Sequence, residues 1–439
     1  MATLHHPDFL RYFRQVAPYV HDFGGRTFVV AFGGEMFTER ARFTSFIHDL
    51  NVLAALEIRL VLVHGARPQI DAEMKAKGQR SRYAQGLRVT DEAALIAVKH
   101  AAGMLRVEME ASLSQGLPNS PMARAQIRVA SGNYITARPI GVRNGVDFQF
   151  TGAVRKVDAA AIASHLDVGD IVLVAHLGYS ATGEVFNLAW EDVAENVAAA
   201  LKADKLLMYT DRLPTNSRDE VVSELTADES LALAGKKSNL TPAAMRALEH
   251  LARAVKAGVT RGHLISRRAD GSLLLELFTH AGVGTMVTAA KTEKLRPARI
   301  EDVRGIVSLI EPLEADGTLV KRSRELLEAE IGNFLVVEHD GVIVGCAALY
   351  PFREDKSAEF ACLAVAEGYR DEGYGEDLLG ACEERARSLR LKRLFALTTR
   401  AAHWFLEQGF KAGDVSALPS RRQQMYNWRR GSKVFLKRL

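Results

Sequence analysis

The sequence predicts an α/β chain of two units, an N-terminal parallel sheet sandwiched between helices and a smaller C-terminal α+β domain. Three observations lead there. From Arg26 onward short apolar runs (FVVAF, RLVLVHG, DIVLVAHLG, KLLMYTD) alternate with helical patterns, the rhythm of a parallel sheet covered on both faces. Toward the C-terminus the rhythm changes to FLVVEHDGVIVGCAALY, two strands about an Asp340-Gly341 turn, which is antiparallel hairpin chemistry. The length, 439 residues, exceeds what one ordinary core accommodates.

In order along the chain, FVVAF is followed by a helix to Glu57, then by RLVLVHG and a longer helical region. The alanine-rich spacing of EDVAENVAAALKAD reads as a buried crossover helix leading into KLLMYTD. HLISRRADGSLLLELFT reads as two strands joined by an Asp270-Gly271 hairpin turn. The stretch KTEKLRPARIED is charged, poor in large apolar residues and carries Pro297, so the first unit spans 1–290, a linker 291–298 and the second unit 299–439, opening with a helix over 303–310.

Hydrophobic residues at 48% and charged residues at 25% fit a compact soluble chain and exclude wholesale disorder. A net charge of +4 demands no nucleic-acid partner. Cys346, Cys362 and Cys382 lack C-x-x-C spacing, which fits a reducing compartment and predicts no metal. MATLHHPDFLRYF lacks the apolar core of a signal peptide, and no apolar run approaches the roughly 18 residues that span a bilayer, so a cytoplasmic protein away from membranes is expected.

The densest chemical signal is EFACLAVAEGYRDEGYGEDLLGACEERARSL. A strand ends near Val365, a loop supplies Arg370-x-x-Gly373-x-Gly375, and a helix follows with Leu378, Cys382 and Leu389 on one apolar face. Glycines let backbone N–H groups approach a diphosphate, and a helix N-terminus adds orphan donors and a favourable dipole. This arrangement resembles the acetyl-coenzyme A signature of the GNAT acetyltransferase superfamily, and the downstream AAHWFLEQGF keeps the superfamily's order. The resemblance implies acetyl-coenzyme A as cosubstrate, bound around Cys362, Leu363, Val365, Arg370, Asp371, Gly373, Tyr374, Gly375, Glu376 and Phe405.

Amide formation from a thioester needs a free amine, so a base must remove an ammonium proton. Glu359, on the strand before the loop, is the candidate; the competing reading is a salt-bridged strand carboxylate. In a regular strand Glu359 and Cys362 face opposite sides, so both line one site only if the strand bulges. Many superfamily members carry a tyrosine acid where this chain has Phe405, which leaves Thr398 as the candidate proton donor, with a capping hydroxyl as its plainer role.

Bidentate carboxylate binding calls for arginine. VKRSRELLEAE offers Arg322, and the tail RRQQMYNWRRGSKVFLKRL holds seven basic residues and no acidic one, which also reads as a solvated or nucleic-acid-binding face. LRPARIEDVRGIVSLIEPLEADGTLVKRSRELLE, CAALYPF and MYNWRRGSKVF resemble the acetyltransferase domain of bacterial N-acetylglutamate synthases. The resemblance implies L-glutamate as acceptor, its carboxylates held by Arg322 and Arg430, with Cys362 and Ser432 lining the pocket; Cys362 otherwise reads as a small buried hydrophobe.

VVAFGGE and LVLVHGARPQI resemble the phosphate-binding segments of the amino acid kinase family, implying an amino acid kinase-like parallel-sheet sandwich for the first unit. A lysine common to those kinases is Ala31 here, and two loop glycines are Ala66 and Arg67, so no phosphoryl transfer is expected. An N-terminal helix ending in PYV, with VTRGHLIS and LLLELFTHAGVGTMV, is similar to the arginine site of arginine-inhibited kinases of this family. That implies L-arginine as effector among Tyr19, His263, Glu276, Gly282 and Gly284, and a homo-oligomer, a ring of six. Two other readings stand beside these: a bifunctional acetylglutamate synthase and kinase, and a metabolite-sensing degenerate kinase fused to a protein lysine acetyltransferase.

Overall fold

The computed structural model describes residues 6–115, 127–235, 240–279, 282–290, 293–339, 341–370 and 372–439. The chain divides into two compact units, Met1–Lys291 and Thr292–Leu439.

The first unit is organised by an eight-stranded sheet of β1 (Thr27–Phe32), β2 (Arg59–His64), β3 (Val129–Ser131), β4 (Ile171–Ala175), β5 (Lys205–Thr210), β6 (Glu224–Thr226), β7 (Arg261–Ser266) and β8 (Thr285–Thr288), in the order β6-β8-β7-β5-β1-β2-β4-β3. Neighbours are parallel except β7 and β8. The apolar runs are continuous because both faces are buried: Val29 and Ala31 of β1 pack with helices Trp190–Leu201 and Pro242–Lys256, while Phe28, Val30 and Phe32 pack with helix Arg40–Ala55. A smaller four-stranded sheet lies within the same unit.

Two expectations differ from what the chain does. The segment after Asp270-Gly271 is a helix, Ser272–Phe278, not the second strand of a hairpin. Gly271 adopts φ 65° at its N-terminal edge, and Leu273, Glu276 and Leu277 turn inward at helical spacing. The segment read as a linker contains β9 (Glu293–Pro297), an antiparallel edge strand of the second unit. Its charge is structural, because Arg296 pairs with Asp302 at 2.7 Å and its Nε donates to Glu338 at 2.8 Å.

The second unit is one seven-stranded sheet: β9, β10 (Phe334–His339), β11 (Val342–Phe352), β12 (Ser357–Val365), β13 (Arg393–Thr398), β14 (Lys411–Gly413) and β15 (Lys433–Arg438), in the order β9-β10-β11-β12-β13-β15-β14. Among the described residues only the β12–β13 pair is parallel. Helix Tyr374–Ser388 buries Leu378 and Cys382 on one face of the sheet, and helix Val303–Ala315 buries Val303, Ile306 and Ile310 on the other. Among the described residues no helix is long and apolar enough to cross a membrane.

Candidate functional site

The site starts from an irregularity in β12. Cys346 pairs with Ala364 and Ala348 with Ala361, so Ala347 faces two residues, Cys362 and Leu363, and the strand bulges. Cys362 takes φ 55°, a left-handed conformation costing a non-glycine residue about 1–2 kcal/mol. The bulge switches faces. Ala358 and Phe360 pack with Leu378 and Cys382, whereas Cys362 and Ala364 pack with Val303, Ile306 and Ile310, the side to which Glu359 also points. Glu359 and Cys362 thus share one face, the condition the sequence set.

Beyond the bulge, β12 and β13 separate. Their register covers Ser357–Glu359 against Arg393–Phe395 and no further, so Phe360–Val365 and Ala396–Thr398 border a wedge with main-chain polar groups along its edge. Leu363 and Val365, half-buried, line that edge from β12.

Around the shared face the chain gathers cations. Arg422 donates to both oxygens of Glu359, at 2.6 and 3.1 Å. Tyr350 lies directly across the strand pair from Glu359, and its hydroxyl donates to Glu330 at 2.8 Å. Burial disfavours charge on Arg322, but the neighbouring Cys362, Tyr350 and Glu359 more than offset this and hold its pKa above the ordinary value. The Arg430 pKa is pushed down by burial and by Arg322 and Arg422. Arg430 donates to the Thr318 carbonyl at 2.6 Å, while its buried Nε has no partner among the described residues. Arg422 is paired with Glu359, whereas Arg322 and Arg430 have no ion-pair partner among the described residues, so these two guanidiniums are left for an acidic ligand to neutralise. Ser432 is buried next to Lys433, which pairs with Thr398, so it sits at the same end of the sheet.

The glycine loop opens helix Tyr374–Ser388. Gly373 adopts φ 91° with no side-chain cap, so the first turn's N–H groups face outward. A Cβ on Gly375 would sit 3.3 Å from the Trp404 ring. The Glu376 carboxylate accepts from Trp404 Nε1 at 3.1 Å and Gln408 Nε2 at 3.2 Å, so it fastens helix Ala402–Glu407 and leaves its main chain for a ligand. Tyr374 and Phe405 are core residues; the Phe405 ring packs between Phe360, Phe410 and Phe435. Arg370 is exposed, and Asp371 lies outside the described residues. Thr398 Oγ1 accepts from the Ala401 N–H at 2.9 Å and the Arg400 N–H at 3.3 Å, a capping arrangement that leaves its own proton available.

Comparison with known proteins decides the family. Residues 26–266 match the amino acid kinase family and residues 305–410 the acetyltransferase (GNAT) family. The chain is 49% identical to an amino-acid acetyltransferase of Ralstonia nicotianae over 98% of its length and 95% of that protein's. It is 48% identical to an amino-acid acetyltransferase of Pseudomonas aeruginosa over 99% and 100% of the two chains. The chain belongs to the amino-acid acetyltransferase family. It also superposes on N-acetylglutamate synthase from Neisseria gonorrhoeae complexed with coenzyme A and L-arginine, with a TM-score of 0.83 at 38% identity over 98% and 99% of the chains. The same synthase with coenzyme A and N-acetyl-glutamate matches with a TM-score of 0.62.

In this amino-acid acetyltransferase the first unit holds a second polar cluster. His263 Nδ1 lies 2.7 Å from Glu276 Oε1, and Lys205 Nζ lies 3.3 Å from His263 Nε2. Burial and Lys205 push the His263 pKa down to about 4, so the ring is neutral, giving its Nδ1 proton to Glu276 and accepting from Lys205. Burial raises the Glu276 pKa, but His263 and the N–H groups of Val283 and Gly284, at 2.8 and 2.7 Å, more than offset it and leave it below normal. Gly282, at φ 62°, lets the chain pass this carboxylate; a Cβ there would lie 2.7 Å from Glu276 Oε2. Tyr19 packs against Phe23, whose ring lies beneath Lys205 Nζ at 5.1 Å.

The segments resembling kinase phosphate loops are filled by the family member's own side chains. A Cβ on Gly65 would lie 2.6 Å from the Trp190 ring, and the Glu35 carboxylate rests against Gly33. Ala31 is a buried strand residue. An indole and a carboxylate thus stand at the loops where a transferring phosphate would need donors.

Sequence reasoning missed Arg422, Tyr350 and Lys205. Arg422 lies in the basic tail that yielded Arg430, and Tyr350 in CAALYPF; neither alone signals a partner 63 residues away or across a strand pair.

Proposed function

We propose that the chain transfers the acetyl group of acetyl-coenzyme A to the α-amino group of L-glutamate, releasing N-acetyl-L-glutamate and coenzyme A, as the first step of arginine biosynthesis. The observation that carries the glutamate reading is the cluster Arg322, Arg422 and Arg430 around Glu359 and Cys362, a partly buried excess of guanidinium that suits a small dicarboxylate.

In this reading the N–H groups around Gly373 and Gly375 hold the coenzyme's diphosphate, and the free edge of β12 at Cys362, Leu363 and Val365 takes the pantetheine arm. Arg322 and Arg430 hold the carboxylates, with Cys362 and Ser432 as walls. Glu359 accepts the ammonium proton directly or through a water. The amine nitrogen then attacks the thioester carbonyl, a C–N bond forms, the C–S bond breaks, and Thr398 donates its proton to the departing thiolate while the second nitrogen proton replaces it on the Thr398 oxygen. A protein lysine acceptor is disfavoured, because a cationic side chain approaching three arginines is repelled. Glu35 and Trp190 likewise argue against a second, kinase activity.

L-Arginine is proposed as a feedback effector at Tyr19, His263, Glu276, Gly282 and Gly284, supported by the buried anionic end of the Lys205–His263–Glu276 chain. Helix His6–Phe23 exposes Phe9 and Phe13, 53% and 64% accessible, which supports assembly through that face into a homo-oligomer, a hexamer, in the cytoplasm.

The test is direct. Purified protein with acetyl-coenzyme A should release thiol only when L-glutamate is added, release less when L-arginine is present, and consume no ATP in the presence of N-acetylglutamate. Thiol release that ignores glutamate but requires a lysine-containing peptide would replace this reading.

A further inference from the structure

Arg322 is half-buried in the second unit, yet no carboxylate reaches it within salt-bridge distance among the described residues. Its main-chain N–H donates to Glu314 Oε1 at 2.9 Å, and its Nη1 donates to the Val320 carbonyl at 3.0 Å. One contact fixes the backbone and the other a single edge of the guanidinium. To meet a carboxylate with two of its five donors, the planar group must be aimed by something more.

Tyr350 stands where that is needed. It pairs directly with Glu359 across β11 and β12, and it packs on the face that carries Cys362, Ile306 and Ile310. Its hydroxyl donates to Glu330 Oε2 at 2.8 Å, at the C-terminal end of helix Arg324–Glu330. The phenol has one proton and Glu330 takes it, so the oxygen is left with lone pairs only. Arg322 donates to that oxygen, a contact that favours the guanidinium charge and opposes the rise that burial and Glu330 impose on the Tyr350 hydroxyl.

The order carboxylate, phenol, guanidinium has a consequence for binding. A carboxylate placed directly on Arg322 would occupy the donors that an anionic acceptor needs and cancel its charge. A hydroxyl accepts one N–H and leaves the charge in place. Donation to Glu330 also polarises the O–H bond and makes the oxygen a better acceptor, the mutual strengthening of a hydrogen-bond chain. Glu359 draws on Arg422 at both of its oxygens, so the base is anchored separately.

We infer that Tyr350 is a positioning residue: its hydroxyl, held by Glu330, aims the Arg322 guanidinium into the acceptor pocket without neutralising it, and so sets how tightly the acceptor's carboxylate is held. The role rests on the glutamate acceptor proposed above, and the parent chain separates the two: no glutamate-dependent thiol release there removes both, whereas the variant kinetics remove this role alone. Tyr350→Phe deletes one oxygen and keeps the ring. The KM for L-glutamate should rise about tenfold, as on loss of one hydrogen bond to a charged group, while kcat and the KM for acetyl-coenzyme A stay within about twofold. In an Arg322→Ala background the same substitution should add less than about twofold, because no guanidinium remains to be aimed. Glu330→Ala should raise the glutamate KM in the same direction, and it serves if the Tm shows that Tyr350→Phe does not fold. An unchanged glutamate KM in the folded variant, an equal rise with and without Arg322, or a loss confined to kcat would each overturn the assignment.

Discussion

Glu359 and Arg422 form a two-point ion pair, Nε to Oε2 at 2.6 Å and Nη2 to Oε1 at 3.1 Å, between a strand and a segment 63 residues later. Each carboxylate oxygen keeps a second acceptor position, so the pair orients Glu359 without consuming its capacity to take a proton. Glu359→Gln keeps the shape and removes the base. Turnover should fall by roughly 10²–10⁴-fold while the KM for glutamate changes only a few-fold, as steady-state thiol release would show; an unchanged kcat removes Glu359 as base.

Arg430 and Arg322 bear on binding, not on proton transfer. Replacing either by Ala should raise the KM for glutamate by about 10–100-fold, the equivalent of one charge-assisted hydrogen bond, with the KM for acetyl-coenzyme A little altered. A rise confined to acetyl-coenzyme A would move both residues out of the acceptor pocket.

Gly373 sits at φ 91°, a backbone position side chains rarely adopt. A Cβ there meets nothing within 4 Å, so its effect would fall on the backbone and on whatever approaches it. Gly373→Val should raise the KM for acetyl-coenzyme A by roughly tenfold or more at little change in glutamate KM. Equal kinetics in variant and parent would mean that the diphosphate is held elsewhere.

Asp49 is buried on helix Arg40–Ala55, and that burial, with Asp270 nearby, raises its pKa to about 7. Because the folded-state value lies above the unfolded one, this group supports folding most fully below pH about 4, and that contribution is lost as pH rises through about 7. Asp49→Asn removes the ionisation. Its Tm advantage over the parent should widen between pH 5 and pH 8; a constant gap would contradict the assignment.

Much of the fold was legible because strands buried on both faces must be continuously apolar, as FVVAF and KLLMYT are. LLLELF was not, since three consecutive leucines fit either period and Gly271 suits a hairpin or a helix start equally. EKLRP reads as linker because an edge strand can carry charge, and the partners of Arg296 lie elsewhere in the sequence. At the site, the glycine loop is local and so readable, whereas the bulge at Cys362 is a matter of register between strands. Lys205 looks like a strand's solvent end, and only the folded chain buries it against His263 and Phe23.

The central claim is that a cluster of arginines selects a second carboxylate on the acceptor. The sharpest measurement is the ratio of kcat/KM for L-glutamate to that for L-glutamine, which has the same shape and a neutral end. The arginine pocket predicts a preference for glutamate of about a hundredfold or more, since glutamine leaves buried guanidinium unmatched. Comparable values for the two amino acids would contradict it.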